Sequence, residues 1–479
     1  MTNEPNNILN FNWTTILNSV SPNDYAYTDE EAFSIIIDKD VVIDPNLYIA
    51  GWTSGNFEEQ VNNGSQDAFV SAVDNNGDHI WSTLIGSSAT DRGYAITQGN
   101  DNSLFVTGRY TDTSPSPGPN KGWEAFLTKL DKNNGDILWT RNYGSYHKVD
   151  TNDGFEWRPT GRSDEGIGLA TDNDGFIYMA GYTQGRLDEA YFGPFGHFGA
   201  WPSIIGANDA FISQIQPVTG DLLWTRIINI NNNYTITRAE AVAVSGLDDS
   251  VYVVGYNDAP DPNFPLETDA FVAKFSSQGD HEWTEKYITT SSDYAKSIEI
   301  DSEGNSYVVG FSENQANSTL FLNKFDPNGA LLWTTTREEN LKPYDLVLSD
   351  DLVIVTGAAG RNIFASAFLT STGEHINTSL KGTDVGGIDG GSNVFAKSIA
   401  MGHENPLFIS GTTHGNLDEQ AHHDLRDVFI SEFSLDSLVG SYFDSEDDNN
   451  GANNENEQGN NNGQIMKMDK SIITTLMMS

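Results

Sequence analysis

Residues 209–226, DAFISQIQPVTGDLLWTR, decide the fold. An alternating apolar run, AFISQI, is followed by a turn, PVTGD, and a second run that carries Trp224. Period-2 alternation rich in β-branched and aromatic residues is a strand pattern, and Gly-Asp between two such runs is hairpin chemistry. The same sentence recurs along the chain. Asp67-Ala68-Phe69, Glu124-Ala125-Phe126, Asp269-Ala270-Phe271 and Asp427-Val428-Phe429 repeat its opening, and Trp13, Trp81, Trp139, Trp283 and Trp333 repeat its close. A third phrase ends in glycine, as in YIAG, FVTG, YMAG and YVVG, at Gly51, Gly108, Gly181, Gly255, Gly310, Gly357 and Gly411.

The glycines run from 51 to 411 in six steps, a mean of 60 residues. From the Phe to the Trp the gap is 12, 13, 13, 12 and 12 residues, whereas from the glycine to the next Phe it ranges from 7 to 30. A constant gap is a tight hairpin; a variable gap is a loop open to insertion. Each repeat therefore reads as four strands, A to D, with B ending at the glycine, C opening with the DAF-like phrase and D carrying the Trp. Repeats of this kind predict an all-β, seven-bladed β-propeller, with the tryptophans as packing between blades.

The chain ends predict how the ring closes. Trp13 has no preceding C strand, and the C strand at 427–433 has no Trp 12 residues on, where Ser441 stands. An open ring would leave two unpaired edges. Residues 10–17 are thus expected to supply strand D of the last blade, beside strands near 393–400, 405–411 and 427–433. In the sixth repeat Ile376 stands where a Trp belongs. The propeller is assigned to 1–440. Residues 441–479 are assigned to an acidic, Asn/Asp-rich disordered tail, because 444–463 cannot bury enough apolar surface to order itself.

The pattern resembles the SBBP-type repeat family, β-propeller repeats of bacterial and often secreted proteins, over about residues 10–435. The resemblance implies a propeller and an extracytoplasmic habit, and it implies no catalytic residues. VTGDLLWTR and NNGDILWTR also look similar to the Trp-docking repeats of quinoprotein dehydrogenases, whose usual eighth blade and frequent paired cysteines are missing here. Outer-membrane assembly lipoproteins share such repeats without enzymatic activity, but this chain has no lipobox cysteine.

Composition narrows the partners. Sixty-eight Asp and Glu against 25 Lys and Arg give a net charge of −43, which argues against nucleic acid and anionic membranes. Cysteine is absent, removing disulfides, thiol catalysis and Cys-type zinc sites. No basic-then-apolar N-terminal leader and no membrane-length apolar run is present, so membrane insertion is not expected, and any export would not depend on a recognisable N-terminal signal peptide.

Strand alternation puts the A–B and C–D turns on one face and the B–C and D–A loops on the other. Both long insertions, 144–164 and 184–208, fall on the latter face. The second is dense in aromatics: Tyr191, Phe192, Phe195, His197, Phe198 and Trp201. With Trp157 and Tyr146, and with Arg158, Arg162 and Arg186 close by in sequence, they offer a stacking platform for a glycan or peptide; as a mini-core packing a long loop onto its ring they are explained more simply. His414, His422, His423 and Asp424 match no zinc spacing. Asp172, Asp174 and Gly175 begin like a calcium loop but lack its terminal Glu, since Thr183 stands there; no cofactor is expected, with calcium left open and no metal site assigned. The expected function is a monomeric, non-enzymatic extracellular or cell-surface propeller that binds a glycan, peptide or protein on the B–C and D–A face. The alternatives are a quinoprotein-like dehydrogenase and a hydrolase or lyase working in the channel.

Overall fold

The computed structural model describes residues 7–20, 28–111, 122–144, 146–151, 154–159, 163–184, 208–228, 236–258, 268–314, 317–349, 351–383, 385–386, 393–403, 405–418, 420 and 426–440. They form a seven-bladed propeller of four-stranded antiparallel sheets. In the order A to D, blade 1 is Glu30–Ile37, Leu47–Thr53, Asp67–Val73 and His79–Ile85. Blade 2 is Arg92–Gln98, Ser103–Thr111, Trp123–Asp131 and Ile137–Tyr143, and blade 3 is Asp164–Thr171, Ile177–Thr183, Asp209–Ile215 and Leu222–Ile228. Blade 4 is Thr237–Val244, Val251–Asp258, Thr268–Phe275 and His281–Tyr287, and blade 5 is Ser292–Ile300, Ser306–Glu313, Ser318–Phe325 and Leu331–Arg337. Blade 6 is Leu341–Leu348, Leu352–Ala359, Asn362–Leu369 and His375–Lys381. Blade 7 takes A to C from Val394–Met401, Pro406–Thr413 and Asp427–Ser434, and its D strand is Trp13–Leu17, paired antiparallel from Trp13↔Glu432 to Leu17↔Val428. The N-terminal strand closes the ring.

Apolar burial is organised by junction rather than by blade. Seven core clusters are present among the described residues, one between each pair of neighbouring blades. Each repeat tryptophan lies on the next blade's C–D turn, over a glycine of positive φ: Trp13 on Gly77, Trp81 on Gly135, Trp139 on Gly220, Trp224 on Gly279, Trp283 on Gly329 and Trp333 on Gly373. A side chain on Gly135 would begin 2.4 Å from the Trp81 ring, so the turn needs glycine for its conformation and for its neighbour. Four indoles also donate to that turn: Trp81 to Lys132 O (3.3 Å), Trp224 to Ser277 O (3.2 Å), Trp283 to Pro327 O (3.1 Å) and Trp333 to Thr370 O (3.2 Å).

Where blade 6 lacks its Trp, the repair comes from both chain ends. A helical turn over 435–440 follows the last C strand, and its Leu435, Leu438 and Val439 pack with Ile376, Leu9 and Phe11 in the blade 6–7 cluster. Asn377 Nδ2 donates to Leu438 O at 2.7 Å. Asn7–Ile8 adds a fifth, parallel strand to the outer edge of blade 6. Among the described residues no helix is long and apolar enough to cross a membrane. The tail assigned to 441–479 lies outside the described residues.

A candidate ligand-binding site at the channel mouth

The A strands are innermost, and each carries one extra residue at the same register. Pairing to strand B skips Phe33, Tyr94, Ile167, Glu240, Lys296, Tyr344 and Lys397 in blades 1 to 7. A bulge re-aims the strand around it. The repeat glycines make these bulges sterically feasible. A side chain on Gly51, Gly108, Gly181, Gly255, Gly310, Gly357 or Gly411 would begin 2.1, 1.8, 1.9, 1.9, 2.1, 2.1 or 1.9 Å from the A-strand carbonyl of Glu31, Arg92, Glu165, Arg238, Tyr294, Lys342 or Phe395 respectively. No side-chain carbon tolerates that distance from backbone, so strand B must present glycine where strand A bulges.

Bulge residues of neighbouring blades touch around the axis. Phe33 meets Tyr94 edge to face at 5.2 Å, the Lys397 ammonium lies 5.8 Å from the Phe33 ring and 4.3 Å from the Tyr344 ring, and Lys296 pairs with Glu240 at 2.9 Å. Two residues before them runs a second ring, Glu31, Arg92, Glu165, Arg238, Tyr294, Lys342 and Phe395, at the end where the B–C and D–A loops begin. Together the rings form the mouth on that face.

This mouth gathers many of the basic residues of an acidic protein, interleaved with carboxylates. Arg92, Arg109, Arg238, Lys296, Lys342, Lys397 and Arg426 gather there, seven of the 25 basic residues. Most are laid on aromatic rings, several of them from the previous blade: Arg92 over Trp52 (4.5 Å), Arg238 over Tyr182 (4.3 Å), Lys296 over Tyr256 (5.6 Å), Lys342 over Phe311 (5.3 Å), with Arg109 over Trp123 (3.9 Å) in its own blade. Such contacts fix the cation and do not neutralise it. Carboxylates neutralise some of them. Arg109 pairs with Glu165 (3.2 Å), Lys342 with Glu313 (2.5 Å), Lys397 with Glu31 (3.6 Å), and Arg426 with Asp29 and Glu31. Arg92 and Arg238 form no ion pair with a described carboxylate; Arg92 donates to Gln66 Oε1 at 2.8 Å instead. Burial, reinforced by the Glu165 charge, pushes the Tyr94 hydroxyl up to about 12 and the Tyr182 hydroxyl above its ordinary value, so both remain neutral hydrogen-bonding groups.

Deeper in the channel, Asp345 accepts from Ser297 Oγ (2.7 Å), Ser398 Oγ (2.7 Å), Leu346 N (2.9 Å) and Ile399 N (3.0 Å), stitching blades 5, 6 and 7 together. Glu299 is wetted by the channel yet surrounded by the ring. Burial within the ring, and then the Asp345 charge, push its carboxyl up to about 8. On the opposite face three lysines are paired, Lys132 with Asp38 (2.8 Å) and Asp40 (2.6 Å), Lys129 with Asp101 (2.6 Å) and Lys274 with Glu282 (3.0 Å), whereas Lys39 donates to Gln98 O and Asn100 Oδ1.

Of the residues singled out in the sequence as a binding platform, Trp157, Tyr146 and Arg158 are described, with Tyr146 opposite Pro159 and Arg158 opposite His147. Trp157 lies in the same hairpin, Tyr146–Thr151/Gly154–Pro159, opposite Lys148, so the insertion expected as a loop contains a β-hairpin. Tyr191, Phe192, Phe195, His197, Phe198 and Trp201 lie outside the described residues, as do His422, His423 and Asp424. Asp172 is consumed by its turn, accepting from Phe176 N (2.8 Å) and the Tyr178 hydroxyl (3.0 Å). No group of three or more metal-capable side chains occurs among the described residues.

The family model described as "SBBP: Beta-propeller repeat" matches residues 160–188, which take in the A and B strands of blade 3. That one repeat is similar to the SBBP repeat. A search of curated protein sequences returns no match. Solved structures similar to this propeller include BamB from Moraxella catarrhalis (12% identity, 87% of this chain and 100% of that chain, TM-score 0.38). Others are a quinohemoprotein alcohol dehydrogenase from Comamonas testosteroni (10%, 98% and 80%, 0.45) and the Pan2 WD40 domain of Neurospora crassa (9%, 88% and 97%, 0.44). Likenesses at this level decide nothing about the chemistry of the site.

The mouth ring escaped the reading of the sequence, which followed the tryptophans and the loop lengths. Two signals for it were present. The residue after the repeat glycine is Trp52, Arg109, Tyr182, Tyr256 and Phe311 in the first five blades, and the scarce cations recur in the A strands.

Proposed function

We propose that this propeller is a non-enzymatic binding scaffold that engages a glycan, peptide or protein at the channel mouth on the B–C and D–A face. The observation that carries this reading is the concentration of seven basic side chains, most of them stacked on aromatic rings, at one mouth of a chain of net charge −43. A solubility surface needs no such concentration, and both sequence insertions attach to the same face. The SBBP-type repeat and its bacterial, often secreted, setting support a role outside the cytoplasm.

The test is a glycan and peptide array probed with the whole chain, with and without calcium, followed by hydrogen exchange with each ligand found. Protection of the A-strand residues around the mouth is expected. Protection confined to the A–B and C–D face would overturn the reading. So would quinone-dependent dye reduction after loading with quinone and calcium, which the dehydrogenase alternative requires.

A further inference from the structure

One of the seven A–B turns is built differently from the others. The backbone bond that closes it in blade 1 runs from Asp38 N to Asn46 O, across eight residues, whereas the closing bonds of the other six span three to five. The added chain puts Val41, Val42 and Ile43 at its tip, 41%, 60% and 80% exposed. The remaining turns on this face are written mostly in Asp, Asn, Gly and Ser, the residues that turn geometry selects. No turn conformation calls for three β-branched side chains in a row, and their exposure shows that they do not pack on the ring.

The tip is anchored on both sides. On its N-terminal side the hairpin is tied to blade 2: Lys39 N donates to Gln98 Oε1 (2.9 Å), Lys39 Nζ to Asn100 Oδ1 (2.9 Å), and Asp40 Oδ2 accepts from Gln98 Nε2 (2.8 Å) and Lys132 Nζ (2.6 Å). On its C-terminal side Asn75 Nδ2, from the C–D turn of blade 1, donates to Asp44 Oδ1 at 2.7 Å. An apolar tip held this way loses little conformational freedom when a partner covers it, and grouped exposed apolar side chains mark interaction sites.

The turns that anchor the tip set the charge of what can cover it. Asp44, Asp74, Asp78, Asp101, Asp131 and Asp136 stand on the hairpin and on the three turns it touches, with Asp38 and Asp40 in its base, against Lys39, Lys129 and Lys132. Two of these lysines are already held, Lys132 by Asp38 and Asp40 and Lys129 by Asp101. Such a rim repels nucleic acid, an anionic membrane and a second chain of net charge −43, and it attracts Lys and Arg. We infer that the blade 1 A–B hairpin docks a basic protein segment, whose apolar side chains cover Val41, Val42 and Ile43 while its Lys or Arg side chains meet the surrounding aspartates. The site is on the face opposite the mouth and does not depend on a ligand there.

The test is an array of short peptides in which basic, acidic and apolar content vary independently, probed with the whole chain and with its Val42→Ser/Ile43→Ser variant. Both side chains are exposed, so the variant should keep the urea midpoint of the unaltered chain. Peptides combining Lys or Arg with apolar residues are expected to lose at least tenfold in affinity for the variant, and to protect amides of the hairpin between Asp38 and Asn46 from exchange in the unaltered chain. Raising salt from about 0.05 M to about 0.5 M should weaken them severalfold. Val218→Ser, at another exposed turn position of the same face, should leave binding unchanged. Equal binding by the double variant, or a set of variant-sensitive peptides that is neutral or acidic, overturns the inference. So does self-association in sedimentation, or binding to phosphatidylcholine vesicles, that the double variant abolishes, since the occupant is then a second copy or a membrane. Protection at the mouth alone overturns this inference and leaves the proposed function standing; protection at the hairpin alone does the reverse.

Discussion

Replacing Gly181 by alanine tests the contact on which the mouth depends. The added methyl would begin 1.9 Å from Glu165 O, 2.9 Å from Glu165 C and 3.1 Å from the Gly166 Cα. All three are backbone atoms, so no rotamer change relieves the clash. Ordinary contact requires strand A to retreat from strand B by more than 1 Å, on the order of a quarter of the normal inter-strand spacing. Overpacking of this kind costs about 1–3 kcal/mol, and about 1 kcal/mol more goes with each ladder hydrogen bond stretched beside the bulge. A total of about 3–5 kcal/mol is expected. Gly246→Ala is the matched control, because nothing lies within 4 Å of the added methyl, and surface changes of that kind stay within about 0.5 kcal/mol. Urea unfolding of both variants, followed by far-ultraviolet circular dichroism and tryptophan fluorescence, reads the difference as a shift in midpoint at constant slope. A Gly181→Ala protein with the midpoint of Gly246→Ala would refute the close approach of strands A and B, and with it the bulge that presents Glu165 at the mouth.

Three further outcomes follow from the same geometry. Trp333→Phe loses the bond to Thr370 O, while Trp139 Nε1 is buried with no partner among the described residues, so Trp333→Phe should destabilise by about 1–2 kcal/mol more than Trp139→Phe in urea titrations. Glu299 holds its proton to about pH 8 in the folded ring and releases it near 4.5 when unfolded, so the folded state binds the extra proton between those values and stability falls as pH rises through them. Burial raises Asp67 only to about 6, and burial lowers His375 to about 4 from 6.5, which gives His375 the opposite slope and confines it to lower pH. The comparison therefore belongs between pH 6.5 and 8, where Glu299→Gln should flatten the decline; an unchanged slope there would show that Glu299 is not the group responsible. Deleting residues 1–17 removes the partner of Asp427–Ser434 and leaves Val428, Phe429 and Ile430 on an open edge, so self-association should appear in light scattering, and a stable monomeric ring would contradict closure by the N-terminal strand.

The architecture was legible because each element that builds it repeats. The constant Phe-to-Trp spacing marked hairpins, and the unmatched Trp13 and Phe429 marked a strand shared between the chain ends, observed as Trp13–Leu17 on Asp427–Ser434. What did not repeat was less legible. The turn at 435–440 follows the last C strand directly and carries no helical period long enough to register. Its purpose becomes visible only beside Ile376, where the missing indole leaves a space that Leu435, Leu438 and Val439 fill. The hairpin inside 144–164 was hidden for a related reason, since Asp, Asn and Gly at its turn read equally as loop.

The mouth was hidden by a different circumstance. Its glycines were seen at once, but a glycine closing a strand has an adequate explanation in the turn that follows it, and nothing in the spacing says that its hydrogen faces a carbonyl of strand A. A bulge adds one residue to one strand, and one residue is lost among gaps that range from 7 to 30. Yet that residue decides which side chains meet around the axis. With pairing unbroken, Lys296 and Lys397 would alternate with their neighbours through the blade faces; with the extra residue they converge on Glu240, Tyr344 and Phe33. Invariant glycines and varied bulge residues are thus two sides of one device. The glycine must stay because it opposes backbone, and the bulge residue is free to differ from blade to blade because it opposes only the channel. A ring built this way can present seven different side chains at one level of a seven-fold scaffold, and recognition of an asymmetric ligand needs that freedom.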